Sequence, residues 1–263
     1  PGLDRNGVAY GGLLHLTGEP DRPPVRPGVT VTDYLTGVFS AQAATALLYE
    51  RDAKGTGEGG VIDAYLYGSA LRILEWTIAA YDRLGLVRSR TGNRLAHSAP
   101  LDNYPSRDGR YVCIVAAAQN NFERLCAAME RPDLLTDERY ATPAGRAANN
   151  EAINTIVAEW AAGLDAADIE RRCIDHDVPV GTAYDAADLS TDDHVLARGD
   201  ILTVDDPVIG GVRQQAPFPR LDGETGGPPA GAPRLGQDTD EVLREVLGLD
   251  HSEITALRGE GIV

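Results

Sequence analysis

The apolar positions are most regular just after residue 34. Leu35, Val38 and Leu47 recur at helical spacing, and alanines fill many of the positions between them. This pattern predicts a largely buried helix over residues 33–51. Alternating valines and threonines lead into Asp33, so this aspartate takes the N-cap position of the predicted helix.

Two interpretations of Asp33 remain open on spacing alone. An aspartate at this position often does no more than accept hydrogen bonds from the first helical turn. Alternatively, the helix dipole and its free amide groups hold an ionised carboxylate shielded from water. Such a carboxylate can attack an acyl carbonyl and form a covalent intermediate, while the amides stabilise the developing oxyanion.

Further elements follow from periodicity and turn residues. A short strand is predicted at 61–64, and a long helix at 65–84 with Leu71, Leu74, Ile78 and Tyr81 on one buried face. The remaining predictions are a strand at 110–117 and helices at 120–130, 149–162, 166–175, 239–247 and 252–258.

These elements suggest four regions and an α/β class. Residues 1–75 form part of a large domain, residues 76–100 a linker, residues 101–205 a small α+β domain, and residues 206–263 a return to the large domain. Within the linker, residues 85–100 contain arginines and His97 but few core-type patterns. A solvated connection is the simpler interpretation of that segment.

Composition excludes several classes of function. The chain has 263 residues and a net charge of −16, which argues against a nucleic-acid or anionic-membrane surface. No apolar run is long enough to cross a bilayer, and the first residues do not resemble a signal peptide. We therefore expect a cytoplasmic protein. The three cysteines, Cys113, Cys126 and Cys173, are expected to be reduced core thiols.

Neither a metal site nor a phosphate loop is expected. The histidines show no metal-ligand spacing with one another or with the cysteines. The glycine cluster at 55–60 follows a helix and precedes a predicted strand, whereas a dinucleotide fingerprint needs a strand before and a helix after. We interpret it as a turn.

Several motifs carry a family resemblance along the whole chain. Residues 1–4 read PGLD, 11–20 read GGLLHLTGEP and 31–33 read VTD. Further matches are GTGEGGVIDA at 55–64, YPSRDGRYV at 104–112, RPDL at 131–134, VPVG at 178–181 and PRLGQDT at 233–239. In this order they resemble the family III CoA-transferases, the CaiB/BaiF group that includes formyl-CoA and carnitine CoA-transferases.

The resemblance implies a fold, a reaction and an assembly. Asp33 falls on the family's nucleophilic aspartate, which passes CoA from an acyl-CoA to a small carboxylic acid through an aspartyl-CoA thioester. CoA enters as part of the substrate, without a permanently bound cofactor. The fold implied is a Rossmann-like large domain plus the small α+β domain, in an interlocked homodimer where the segment around His97 approaches the partner's site.

The resemblance also implies an N-terminal Rossmann-type portion ahead of the PGLD turn. We therefore expect that this portion is a separate N-terminal polypeptide that acts as a partner, that it has been lost, or that the chain is a truncated product. Substrate identity does not follow from the sequence, because a pocket between domains sets it.

Two alternative functions are weighed against CoA transfer. An α-methylacyl-CoA racemase pairs the aspartate with a histidine in the PGYD-like turn, and Leu3 stands at that position here. Leucine cannot transfer a proton, which disfavours racemisation. Many transferases have tyrosine at this position, so Leu3 departs from them too. The other alternative is a non-catalytic subunit or fragment that binds CoA or a partner chain.

Overall fold

The computed structural model describes residues 2–223 and 231–263. Contacts divide the chain into two units, Pro1–Ala183 and Tyr184–Val263. Helices combine with two small antiparallel sheets, which confirms the α/β class. The four-region division, with its boundary after residue 205, stays a prediction.

The first unit begins with a series of helices, two of which approach each other closely at a glycine. These are α1 (Asp4–Tyr10), α2 (Leu13–Leu16), α3 (Val31–Ala53), α4 (Leu66–Arg72) and α5 (Thr77–Leu84). A Cβ added at Gly11 would lie 2.5 Å from the Ala70 Cβ and 2.7 Å from the Tyr67 carbonyl oxygen. Only a residue without a side chain allows α1 and α4 to approach this closely.

The prediction of a helix after residue 33 is confirmed, but its predicted burial is wrong. Helix α3 extends over 23 residues, and Thr32 is its only buried one. Tyr34, Val38 and Tyr49 are more than 60% exposed. Helices α1 and α4 make the main contacts with α3 within the described chain, and their side-chain hydrogen bonds to it are at its first turn. Apolar periodicity therefore predicted the helix correctly but not what covers it.

The predictions for residues 61–84 are corrected by the structure. No strand forms at 61–64, and the Val61 side chain is 98% exposed. The predicted long helix is instead two helices, because the chain leaves helical geometry at Glu75, whose φ is +55°. Of the predicted buried face only Leu74 is buried, whereas Leu71, Ile78 and Tyr81 are exposed.

A three-stranded antiparallel sheet follows in the same unit. Its strands are β1 (Leu101–Pro105), β2 (Tyr111–Val115) and β3 (Val180–Thr182), with β2 in the centre. Tyr104 pairs with Val112, and Cys113 pairs with Gly181. The strand predicted at 110–117 is confirmed as β2.

Helices α6 (Gln119–Ala128), α7 (Pro143–Ala148), α8 (Asn150–Ala162) and α9 (Ala166–Asp175), with a 3₁₀ turn at Pro132–Leu135, follow β2. The predicted face of α6 is buried as expected, including Phe122 and Leu125. The predicted bounds of α8 and α9 are confirmed within one residue. Arg146 is fully buried in this core, with its guanidinium 4.2 Å from the Phe122 ring centre.

The described residues of the second unit form a hairpin and four helices. Its elements are α10 (Ala186–Thr191), α11 (Asp193–Arg198), β4 (Ile201–Asp206), β5 (Gly210–Gln215), α12 (Thr239–Leu247) and α13 (His251–Gly259). The helices predicted at 239–247 and 252–258 are confirmed as α12 and α13. The hairpin was not predicted. Residues 224–230 of the predicted return to the large domain lie outside the described residues.

Candidate active site

Asp33 lies in the first turn of α3, but it is not the N-cap. The helix begins at Val31 after Thr30, so Asp33 is its third residue. Its side chain is exposed rather than shielded from water. The first turn of a helix has amide groups without intrahelical partners and the positive end of the helix dipole. The carboxylate is therefore accessible and lies beside groups that favour negative charge.

Asp4 performs the capping role that was predicted for Asp33. Its Oδ1 accepts hydrogen bonds from the Thr32 amide at 2.9 Å and from the Thr32 hydroxyl at 2.7 Å, across 28 positions of sequence. Asp4 is 7% exposed and Thr32 is fully buried. Because Thr32 immediately precedes Asp33, this buried pair fixes the backbone that holds the candidate nucleophile.

Ser69 completes the network from the α4 side. Its hydroxyl is 3.3 Å from the Thr32 carbonyl oxygen and 2.7 Å from that of Leu66. A Cβ added at Gly7 would lie 3.0 Å from the Thr32 hydroxyl, so α1 also packs closely here. Three helices thus meet at the residue next to Asp33, which makes this turn the most firmly fixed part of α3.

A large open groove lies beside this junction. Its volume is about 870 Å³, and Tyr10, Tyr65 and Tyr67 provide its aromatic wall. The Tyr10 and Tyr67 rings meet edge to face with centres 4.8 Å apart. Desolvation and then the neighbouring Tyr65 and Tyr10 hydroxyls raise the pKa of Tyr67. The groove is large enough for part of a ligand such as an acyl-CoA.

Tyr65 also lines a smaller pocket of about 220 Å³. Thr36, one turn beyond Asp33 on α3, and Arg72 at the end of α4 lie in its wall. We call it the Arg72 pocket. Its complete lining is Thr36, Phe39, Asp63, Ala64, Tyr65, Gly68, Ser69 and Arg72.

Hydrogen bonds join the predicted linker segment to α2 and to the loop that precedes α3. The Arg90 guanidinium donates to the carbonyl oxygens of His15 at 3.1 Å and Glu19 at 3.2 Å, and the Gly92 amide donates to Gly18. His97 itself is exposed, and no hydrogen bond or ion pair joins it to Asp33 in residues 2–223 and 231–263. The prediction of a solvated connection therefore fits the exposed His97. It does not fit Arg90, whose guanidinium is hydrogen-bonded to two main-chain carbonyl oxygens.

The sequence analysis missed most of the residues that surround Asp33. Asp4 belongs to the quoted PGLD turn, but its capping role depends on a contact with Thr32 that no local pattern reveals. Thr36 and Arg72 gave no local signal, because other polar residues such as Ser40 and Ser69 lie in the same helical segments. Leu3 precedes α1 and is 75% exposed.

The remaining candidate features are metal ligands, membrane-spanning helices and the cysteines. Within the described chain, no group of three or more metal-ligating side chains comes together, and no helix has the length and apolarity needed to span a membrane. The cysteines are free there. Cys126 and Cys173 are buried as expected, whereas Cys113 is exposed and the core prediction for it is wrong.

Comparisons with known proteins identify the family. The model of CoA-transferase family III matches residues 1–239. Succinyl-CoA–D-citramalate CoA-transferase of Chloroflexus aurantiacus is 35% identical over 262 residues, which are 100% of this chain and 65% of the relative. The alpha subunit of succinyl-CoA–L-malate CoA-transferase from Chloroflexus aurantiacus is 36% identical over 256 residues, 97% of this chain and 59% of the relative.

A solved structure agrees with the sequence matches. The crystal structure of a CaiB/BaiF family protein from Brucella suis superposes with a TM-score of 0.79 at 28% identity, covering 93% of this chain and 63% of that one. The chain therefore spans less than two thirds of the length of each of these relatives. The predicted fold is confirmed, and the chain belongs to CoA-transferase family III.

Proposed function

We propose that this protein transfers CoA from an acyl-CoA donor to a carboxylic acid acceptor, with Asp33 as the nucleophile. The observation that carries the proposal is the accessible carboxylate of Asp33 in the first turn of α3, next to a residue fixed by Asp4. A fixed backbone keeps the carboxylate in one orientation toward the thioester carbonyl, which lowers the entropic part of the barrier.

The reaction divides into balanced acyl exchanges. The Asp33 carboxylate attacks the thioester carbonyl, so a carbon–oxygen bond forms, the carbon–sulfur bond breaks, and CoA leaves as a thiolate. The thiolate attacks the aspartyl carbonyl of the mixed anhydride and releases the first acid, which leaves an aspartyl-CoA thioester. The acceptor carboxylate repeats the steps in reverse and regenerates Asp33. Bonds of similar energy are exchanged, so we propose no requirement for ATP, a metal or a resident cofactor.

The proposed substrates are succinyl-CoA as donor and a small dicarboxylic acid as acceptor. Support comes from the two transferase relatives, whose names combine succinyl-CoA with D-citramalate or L-malate. In this scheme CoA is part of the substrate. Racemisation is less well supported, because Leu3 has an aliphatic side chain and provides no proton-transferring group in the PGLD turn.

We further propose that the protein acts in the cytoplasm as a homodimer. Large apolar side chains such as Tyr34 and Tyr49 are exposed along α3, and covering them would remove apolar surface from water. Free thiols at Cys126 and Cys173 are consistent with a reducing compartment. Light scattering of the purified protein measures its mass, and a monomer at micromolar concentration would contradict the dimer.

Hydroxylamine trapping tests the nucleophile. The purified protein, with any chain that co-purifies, is incubated with succinyl-CoA and treated with hydroxylamine, which captures an activated aspartyl group as a hydroxamate. We expect peptide mapping to locate the hydroxamate on Asp33. We also expect Asp33→Ala to abolish it and to lower transfer by at least about 1000-fold, as loss of a nucleophile does elsewhere.

A matched control is Asp193→Ala, which removes another exposed aspartate from the first turn of a helix. This variant should keep both the hydroxamate and the transfer rate. Absence of a hydroxamate with every acyl-CoA offered, or substantial transfer by Asp33→Ala, would overturn the proposal.

A further inference from the structure

The Arg72 pocket has an exposed cation without a protein partner in its wall. Among residues 2–223 and 231–263, the Arg72 guanidinium has no hydrogen-bond or ion-pair partner, although Asp63 lies in the same lining. Most other arginines of the first unit are paired, such as Arg88 with Glu75 and Arg94 with Asp102. A guanidinium in a concave wall is a ready partner for a carboxylate, which it binds in a bidentate geometry.

The Thr36 hydroxyl is the unsatisfied group of this pocket. Its oxygen is buried and has no hydrogen-bond partner within the described part of the chain, although threonine hydroxyls in helices commonly bond to the preceding turn. An unpaired buried polar atom is costly unless a ligand or water satisfies it. Thr36 and Arg72 together therefore present two kinds of donor to one small cavity.

The position of these donors relative to Asp33 suggests what they bind. Thr36 is three residues after Asp33, so it lies on nearly the same helix face and about 4.5 Å further along the axis. A four-carbon dicarboxylic acid has its two carboxyl groups at a comparable separation. We propose that the Arg72 pocket binds the distal carboxylate of a dicarboxylic acid whose other carboxyl group reacts at Asp33.

This assignment rests on the proposed CoA transfer and makes Arg72 its specificity-determining residue. A volume of about 220 Å³ is sufficient for a carboxymethyl group. Asp63 in the same lining offsets part of the charge of Arg72, so the Thr36 hydroxyl and Arg72 are both needed to hold one carboxylate. A monocarboxylic acid of equal length would place a methyl group against Arg72 and leave both donors unpaired, which disfavours it.

Matched acceptors and variants test the pocket by steady-state kinetics. Succinate and butyrate differ only in that a methyl group replaces the distal carboxylate. We expect Arg72→Met to lower kcat/KM for succinate by roughly 10- to 100-fold, with less than a twofold change for butyrate. Thr36→Val should lower only the succinate value, and Thr36→Ser should retain it.

The control is Arg83→Met, which removes an exposed arginine of α5 that lies outside the pocket lining. It should leave both acceptors unaffected. A wild-type protein that uses butyrate as well as succinate, or an Arg72→Met variant that loses both equally, would overturn the inference.

A binding measurement separates this inference from the proposed reaction. Saturation-transfer NMR detects succinate and butyrate bound to the purified protein without any turnover. Arg72-dependent binding of succinate, with no hydroxamate on Asp33, would support the pocket and contradict the reaction. A hydroxamate on Asp33, with succinate binding unchanged by Arg72→Met, would support the reaction and contradict the pocket.

Discussion

Replacing Asp4 by alanine is the most direct test of how the active-site turn is held. The substitution removes the only acceptor for the Thr32 amide among residues 2–223 and 231–263, together with the acceptor 2.7 Å from the Thr32 hydroxyl, and Thr32 is fully buried. The Thr32 amide is left without a partner, whereas its hydroxyl can still donate to the main-chain carbonyl oxygen of residue 4, 3.4 Å away. A buried donor left without a partner costs about 1–3 kcal/mol, so we expect a loss of about 2–3 kcal/mol in the free energy of unfolding. That is a large part of the roughly 5–15 kcal/mol typical of a domain.

Urea unfolding followed by circular dichroism measures this loss. Asp4→Asn serves as the matched control, because its amide oxygen can still accept both hydrogen bonds and only the charge is lost, at a cost of about 1 kcal/mol. A loss below about 1 kcal/mol for Asp4→Ala would refute the reasoning. So would equal losses for the alanine and asparagine variants, since the argument depends on the acceptor rather than on the charge.

The same variants connect stability to chemistry. At temperatures where Asp4→Ala remains folded, we expect less hydroxamate on Asp33 than in the wild type, because Thr32 no longer fixes the adjoining backbone. Asp4→Asn should remain close to the wild type. Unchanged trapping in a folded Asp4→Ala variant would show that the cap contributes to stability but not to the orientation of Asp33.

Two further predictions concern the core of the first unit. Arg146→Met should lower the free energy of unfolding by about 3 kcal/mol or more, because the buried guanidinium donates to the Ala99 carbonyl oxygen and three other acceptors. Urea unfolding measures this change, and a decrease under about 1 kcal/mol would contradict the prediction. Burial raises the pKa of Cys126 and Cys173 to about 12. The thiols of the unfolded chain ionise at a lower pH than the buried ones, so the free energy of unfolding should fall from about pH 9 toward pH 12 by up to about 1.4 kcal/mol per pH unit for each cysteine. Cys173→Ala should make this pH dependence less steep, and an unchanged pH dependence would contradict the reasoning.

Local sequence signals accounted for some elements closely. Helix α12 has the predicted bounds, because apolar periodicity, an acidic first turn and a following glycine all agree. The buried face of α6 was predicted correctly by the spacing of Phe122, Leu125, Cys126 and Met129. The motifs also predicted the family, and they placed Asp33 at the start of a helix.

Other features depended on contacts that no local window contains. The break at Glu75 and the hairpin β4–β5 were missed, because the apolar pattern over 65–84 continues through the break and the hairpin lies within turn-rich sequence. The periodicity of α3 predicted burial, yet α1 and α4 bury only Thr32 in its first turn. A period describes a helix, but it does not specify which neighbour covers it.

The sequence by itself therefore determined the class of chain, its family and the residue proposed to react. Only the tertiary structure decided how that residue is held: Asp4 caps the helix from 28 positions away, and Ser69 fixes the same turn from α4. It also brought Arg72 and Thr36 into one pocket. Capping, burial and pocket formation depend on groups distant in sequence, and long-range packing alone brings such groups within hydrogen-bond distance.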